Sequence, residues 1–127
     1  MTTKPKATRP LEYVAFFSFE VRTGEGNGYV FMACDAYLDF VFNLSVETDK
    51  KPENVLKNIY FLLEHPDFVK HLGNGFTLVL DEFQELAPRI EKIIGPENGK
   101  LLFNKTFNNV ISNPVLLSIR DQMRKMR

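Results

Sequence analysis

Tryptophan is absent from this 127-residue chain, and cysteine occurs once, at Cys34. A single cysteine excludes an internal disulfide and any cysteine-rich zinc site. Cys34 stands inside the apolar run from Tyr29, which marks it as a buried, inert thiol rather than a nucleophile. Histidine is scarce as well. His65 and His71 lie on either side of Pro66, not at a helical metal-ligand spacing, and read as structural or surface residues. Net charge is lacking: 16 basic residues balance 16 acidic ones, so no global field exists to hold nucleic acid. No apolar run approaches the ~18–20 residues that span a bilayer. The N-terminal MTTKPKATRP is polar and basic with no apolar stretch behind it, unlike a secretory signal. These absences point to a cytoplasmic protein with no membrane partner.

What the chain has in quantity is phenylalanine, 12 residues, within a hydrophobic content of 44% and a charged content of 25%. That balance is ordinary for a globular protein. The length is that of one domain, able to bury roughly two-thirds of its unfolded surface. Residues 1–10 carry Lys4, Lys6 and Arg9 with two prolines and read as a flexible basic arm, either solvated or in contact with phosphate. Residues 11–127 form the domain.

The chain is organised around Gly28 to Glu47, which reads as two strands joined by a short corner. Phe40, Phe42, Leu44 and Val46 fall on one face; Asp39, Val41, Asn43, Ser45 and Glu47 fall on the other. Before the corner, Tyr29 to Cys34 is apolar at nearly every position, as in a strand covered on both sides. An earlier strand, Tyr13 to Arg22, puts Tyr13, Ala15, Phe17, Phe19 and Val21 on one face. The glycine-rich Thr23 to Gly28 links it to the next strand as a hairpin turn. A helix follows from Pro52 to Glu64, capped by Thr48 or Asp49 and stopped by Pro66, with a further turn over Asp67 to Leu72 ended at Gly73. Phe76 to Leu80 is a short apolar run and reads as a central parallel strand ending in Asp81 and Glu82. Leu86, Ile90, Ile93 and Ile94 mark a second helix, and Lys100 to Phe103 a fifth strand. Asn104 to Asn113, with four asparagines, reads as a polar loop, and Pro114 opens a last helix. The order is therefore β-β-β-α-β-α-β-α: an α/β domain with a mixed five-stranded sheet and helices on its faces.

That order, with FSFEVRTGEGNGYVFMACDAYLDFVF and TLVLDEFQEL, resembles the ribonuclease H-like catalytic core of retroviral-type integrases and DDE transposases. Asp35 stands in the DAYLDF corner where the family has its D-x-[FY]-[ST]-R-like turn. Asp81 stands where an apolar strand ends in the second catalytic aspartate, typically followed as D-N-G-x-E-F; the glycine of that motif is Phe83 here. The resemblance implies a role in DNA integration or transposition. It also implies three carboxylates holding two divalent metals, Mg²⁺ or Mn²⁺, for in-line displacement at phosphorus.

This sequence departs from that pattern. The best register puts Phe17 at the first ligand position, with Glu20 offered only by a shift along the strand. The last helix has no glutamate, and Asp121 is its only carboxylate. The expectation is thus a degenerate core without resident metal, touching DNA through Lys4, Lys6, Arg9, Arg120, Arg124 and Lys125. One alternative is an active metal-dependent nuclease or strand-transfer enzyme using Glu20, Asp81 and Asp121, with Asp81 the best metal ligand. Another is a non-catalytic binding module that dimerises through exposed aromatics such as Tyr37. For the acids, simpler roles stand beside these: Asp35 fixing the corner through backbone hydrogen bonds, Asp81 or Glu82 favouring a helix N-terminus, and Glu20 solvated on its strand.

Overall fold

The computed structural model describes residues 7–37, 40–70 and 75–125. Lys4 and Lys6 of the arm, Asp39 of the corner, His71, the helix stop expected at Gly73, and Arg127 lie outside the described residues. The elements are β1 (Tyr13–Thr23), β2 (Gly26–Asp35), β3 (Val41–Glu47), α1 (Pro52–Glu64), α2 (Pro66–Val69), β4 (Phe76–Leu80), a 3-10 turn (Gln84–Leu86), α3 (Ala87–Ile94), β5 (Gly99–Phe103) and α4 (Lys105–Lys125). One five-stranded sheet runs in the order β3-β2-β1-β4-β5. β1, β2 and β3 pair antiparallel, whereas β4 pairs parallel with both β1 and β5. The mixed sheet expected from the helix-linked strands is what forms.

β1 is the central strand, and its alternation decides both layers. Val14 and Phe16 pack with Phe31, Leu78 and Leu80 beneath α1, α2 and α3. Ala15 and Phe17 face the other way and pack with Met32, Cys34 and Ile111 beneath α4. Fully burying a phenylalanine contributes roughly 2–3 kcal/mol, so Phe16, Phe31, Phe42 and Phe68 dominate the larger layer. Phe42 and Phe68 meet edge to face at 6.0 Å, and His65 stands edge-on to Phe42 at 5.0 Å. His65 Nδ1 also accepts a hydrogen bond from the Asp67 backbone at 3.2 Å, so this histidine is structural. Cys34 is buried, as its apolar neighbours imply.

Four local expectations need correction. The β1–β2 turn is tighter than Thr23 to Gly28: Thr23 pairs directly with Gly26, leaving a two-residue loop. Gly26 holds φ 130°, a backbone that only glycine adopts readily, and this lets the strands close so soon. Asp49 does not cap α1; it accepts from Lys51 N at 2.9 Å and Asn54 Nδ2 at 2.7 Å, fixing the approach instead.

The face assignment along β3 changes at a bulge. Phe31 pairs with Ser45 but Met32 pairs with Asn43, so Leu44 is the extra residue and the alternation switches there. Ser45 and Glu47 therefore turn toward α1, and Val46 is left 62% exposed. The switch serves Asn58, which is fully buried on α1. Asn58 donates to Asn54 O at 2.8 Å and lies 2.9 Å from Ser45 Oγ, which also contacts the Glu47 carboxylate.

The last correction concerns Asn104 to Asn113, which is helix rather than loop. Asn104 Oδ1 accepts from Phe107 N at 3.0 Å and starts α4, and Phe107, Ile111, Val115 and Ile119 form its apolar stripe. Pro114 sits inside this helix on an exposed position, at the cost of one backbone hydrogen bond.

Burial works against ionised Glu47, but hydrogen bonds from Ser45, Lys57 and Asn58 outweigh it and hold the carboxyl below its ordinary value. A depressed carboxyl stabilises the fold above its unfolded pKa, and that contribution is lost as pH falls through the folded value. Glu47→Gln is therefore expected to cost about 1–2 kcal/mol at neutral pH. The gap to wild type should close well below pH 4.5, the ordinary value. Urea unfolding across this range checks it; a gap independent of pH would refute the ionic role.

Candidate functional site

Open α/β sheets place ligands beyond the carboxyl ends of their parallel strands. Here that point is where β1 and β4 part. Their pairing runs from Tyr13 with Thr77 to Phe16 with Leu80, and the next residue of each is Phe17 and Asp81. α4 crosses this end. Its Asn108 is fully buried and donates to Phe16 O at 3.0 Å and Val79 O at 2.8 Å. Ser112, also buried, donates to Asn108 Oδ1 at 3.3 Å. One amide thereby fastens α4 to both strands. The reading of residues 104–113 as a loop hid Asn108. The signal that could have found it is the four-residue spacing of Phe107, Ile111, Val115 and Ile119.

Asp81 is half-buried at the tip of β4. Its carboxyl is pushed above the ordinary aspartate value, first by burial and then by the neighbouring Glu82; Lys50 and Lys105 oppose the shift without cancelling it. Glu82 is already engaged, 3.0 Å from Lys50 Nζ. The same ammonium lies over the Tyr29 ring at 5.5 Å and the Phe83 ring at 5.7 Å. Phe83 has φ 71°, a left-handed backbone that favours glycine, and glycine is what the resembled D-N-G motif has there.

The other expected site residues lie elsewhere. Glu20 is exposed on β1, further along the strand than Phe17 and paired with Tyr29. Asp121 is exposed on α4 and lies 3.6 Å from Lys125. Among the described residues, no three histidine, cysteine or acidic side chains come close enough to hold a metal ion. The donor set beside Asp81 explains why. Phe17 offers no ligand atom, and the Asn108 amide is spent on two carbonyls and a hydroxyl. These residues do not fit a two-metal centre, which needs converging carboxylates.

Asp35 fixes the corner, as its turn position suggested: Oδ1 accepts from Leu11 N at 3.2 Å and Tyr37 N at 3.1 Å. Of the expected phosphate contacts, Arg9 donates to Gly75 O at 3.0 Å, while Arg120 and Arg124 are exposed near the end of α4. Tyr37 is 47% exposed beside the corner. No helix among the described residues is long and apolar enough to cross a membrane. No protein-family model matches the chain, and no curated protein matches it.

A raised carboxyl pKa means that ionising Asp81 costs the folded state. Stability is greatest below the ordinary value of 3.8, falls as pH rises through the folded value, and stays reduced at neutrality. Asp81→Asn removes that cost. At pH 7 it should stabilise the chain by less than about 1 kcal/mol, because the group is partly solvated. Thermal melts at neutral pH and at pH 3 test this, with the advantage expected only at neutral pH; a destabilised variant at pH 7 would contradict it.

Proposed function

We propose that this chain is a ribonuclease H-like domain of the integrase and transposase core type, one that has lost polynucleotidyl transfer and serves DNA integration or transposition without catalysis. The observation that carries this reading is the strand order β3-β2-β1-β4-β5, with antiparallel β1 to β3 and parallel β4 and β5, delivering Asp81 beside β1 under a helix from the end of the chain. The left-handed Phe83 supports it, because it follows Asp81 at the position of the motif's glycine. The loss of chemistry rests on Phe17 and Asn108, which fill the flanking positions with a hydrocarbon and a fully committed amide.

In this reading the domain is cytoplasmic, and it meets DNA through the exposed arginines of α4 and through the basic arm that ends in Arg9. The resemblance alone supports that partner. A protein-binding or dimerising role on the same scaffold is favoured by one observation, the exposed aromatic pair Tyr37 and Phe40 at the β2–β3 corner, 47% and 40% exposed.

Calorimetric titration with Mg²⁺ and Mn²⁺, wild type against Asp81→Ala, tests the loss of chemistry. The expected result is no saturable binding at millimolar metal and no divalent-dependent cleavage of DNA. Saturable binding that disappears in Asp81→Ala, together with cleavage, would overturn the proposal in favour of an active enzyme drawing on Glu20, Asp81 and Asp121.

A further inference from the structure

A cleft between α1 and α3 lies on the opposite layer from α4. It is lined by Leu56 and Tyr60 of α1 and by Arg89, Lys92 and Ile93 of α3, and holds about 540 Å³. That volume is within the range of small-ligand sites, roughly 300–1,000 Å³. Its chemistry is divided. Leu56 and Ile93 supply an aliphatic floor. The Tyr60 ring is 49% exposed and leaves a surface free for stacking. Arg89 and Lys92 stand three residues apart on one helix, so their charges share a face. Among the described residues neither pairs with a carboxylate, whereas Lys50, Lys57 and Lys125 each do. The lining contains no acidic side chain. Two adjacent cations with no counter-charge repel one another until an anion joins them, and a planar guanidinium beside an ammonium suits a phosphate.

We propose that the α1–α3 cleft binds a nucleotide, with the base stacked on Tyr60 above Leu56 and Ile93 and the phosphate held between Arg89 and Lys92. The same chemistry is offered by a free mononucleotide and by one unit of a single strand, in which an aromatic platform and cations take a base and its phosphate. The inference stands on this cleft and does not depend on the family reading.

The test titrates the whole chain with adenosine 5′-monophosphate, with adenosine, and with a short oligothymidylate. The Arg89→Ala/Lys92→Ala, Tyr60→Ala and Tyr60→Phe variants follow the same titrations, with unfolding midpoints as a control at these exposed positions. Saturable binding of the monophosphate, with adenosine much weaker, identifies a free nucleotide as the ligand. Binding of the oligothymidylate alone identifies a strand. In either case Arg89→Ala/Lys92→Ala should weaken binding at least about tenfold. Tyr60→Ala should weaken it too, and Tyr60→Phe should bind as wild type does. The proposal is overturned if neither probe binds saturably, if the cleft variants bind as wild type does, or if only Arg120→Ala/Arg124→Ala on α4 reduces binding.

Discussion

The side-chain amide of Asn108 is the constraint on which the arrangement of this domain depends. Its two N–H groups reach main-chain oxygens on β1 and β4 where pairing of those strands ends, and Ser112 serves its oxygen. A buried amide so satisfied contributes only modestly, but removing a partner leaves the others desolvated and unpaired. α4 is the one described helix on its side of the sheet, and the smaller core beneath it consists of residues it covers. Docking of that helix and burial of Phe17 go with this fastening, while Asp81 is placed by the pairing of β4 with β1 and β5.

The acidic residues tell a consistent story. Asp35 is spent on two backbone amides, Glu47 on the buried polar cluster around Asn58, and Glu82 on Lys50. Each is fixed by partners that hold the fold, and none converges on another. Among the described acidic residues, Asp81 stands at a strand end with a raised carboxyl pKa, the environment in which functional carboxylates are often found. Neither Asp81 nor Glu82 serves a helix start as the sequence suggested, because the 3-10 turn begins after Phe83 and α3 after Leu86, both without a side-chain cap. A lone carboxylate beside a phenylalanine and an amide cannot by itself assemble two metals. The exposed cations of the α1–α3 cleft lie on the opposite layer from α4.

Much of the fold was legible because its signals are local. The alternation of β1, the unbroken apolar run of β4 and the spacing of Val55, Ile59 and Leu62 each need only a few neighbouring residues. Two of the misreadings were non-local. Whether an asparagine is a loop residue or a helix fastener depends on its partner, and the partner of Asn108 on β1 is 92 residues away. The β3 bulge likewise answers to Asn58 on α1, so strict alternation put Ser45, Val46 and Glu47 on the wrong faces. At the candidate site, Asp81 was visible as an acid ending an apolar strand, and Asp35 as an acid in a turn. Asn108 and the cations of the α1–α3 cleft were not, because no motif marks a residue whose role arises only when two helices or two strands meet.

The most direct measurement is the unfolding free energy of Asn108→Asp as a function of pH. The substitution keeps the shape but replaces two donors with a carboxylate facing two carbonyl oxygens. Their lone pairs favour the protonated acid, so the folded-state pKa is raised, and stability falls as pH rises through it. The expected result is a loss of at least about 3 kcal/mol at pH 7, partly recovered in acid, where a protonated carboxyl can donate one bond. A variant within about 1 kcal/mol of wild type at neutral pH would contradict the account, because a carboxylate tolerated there would mean that the site is not held together by this amide.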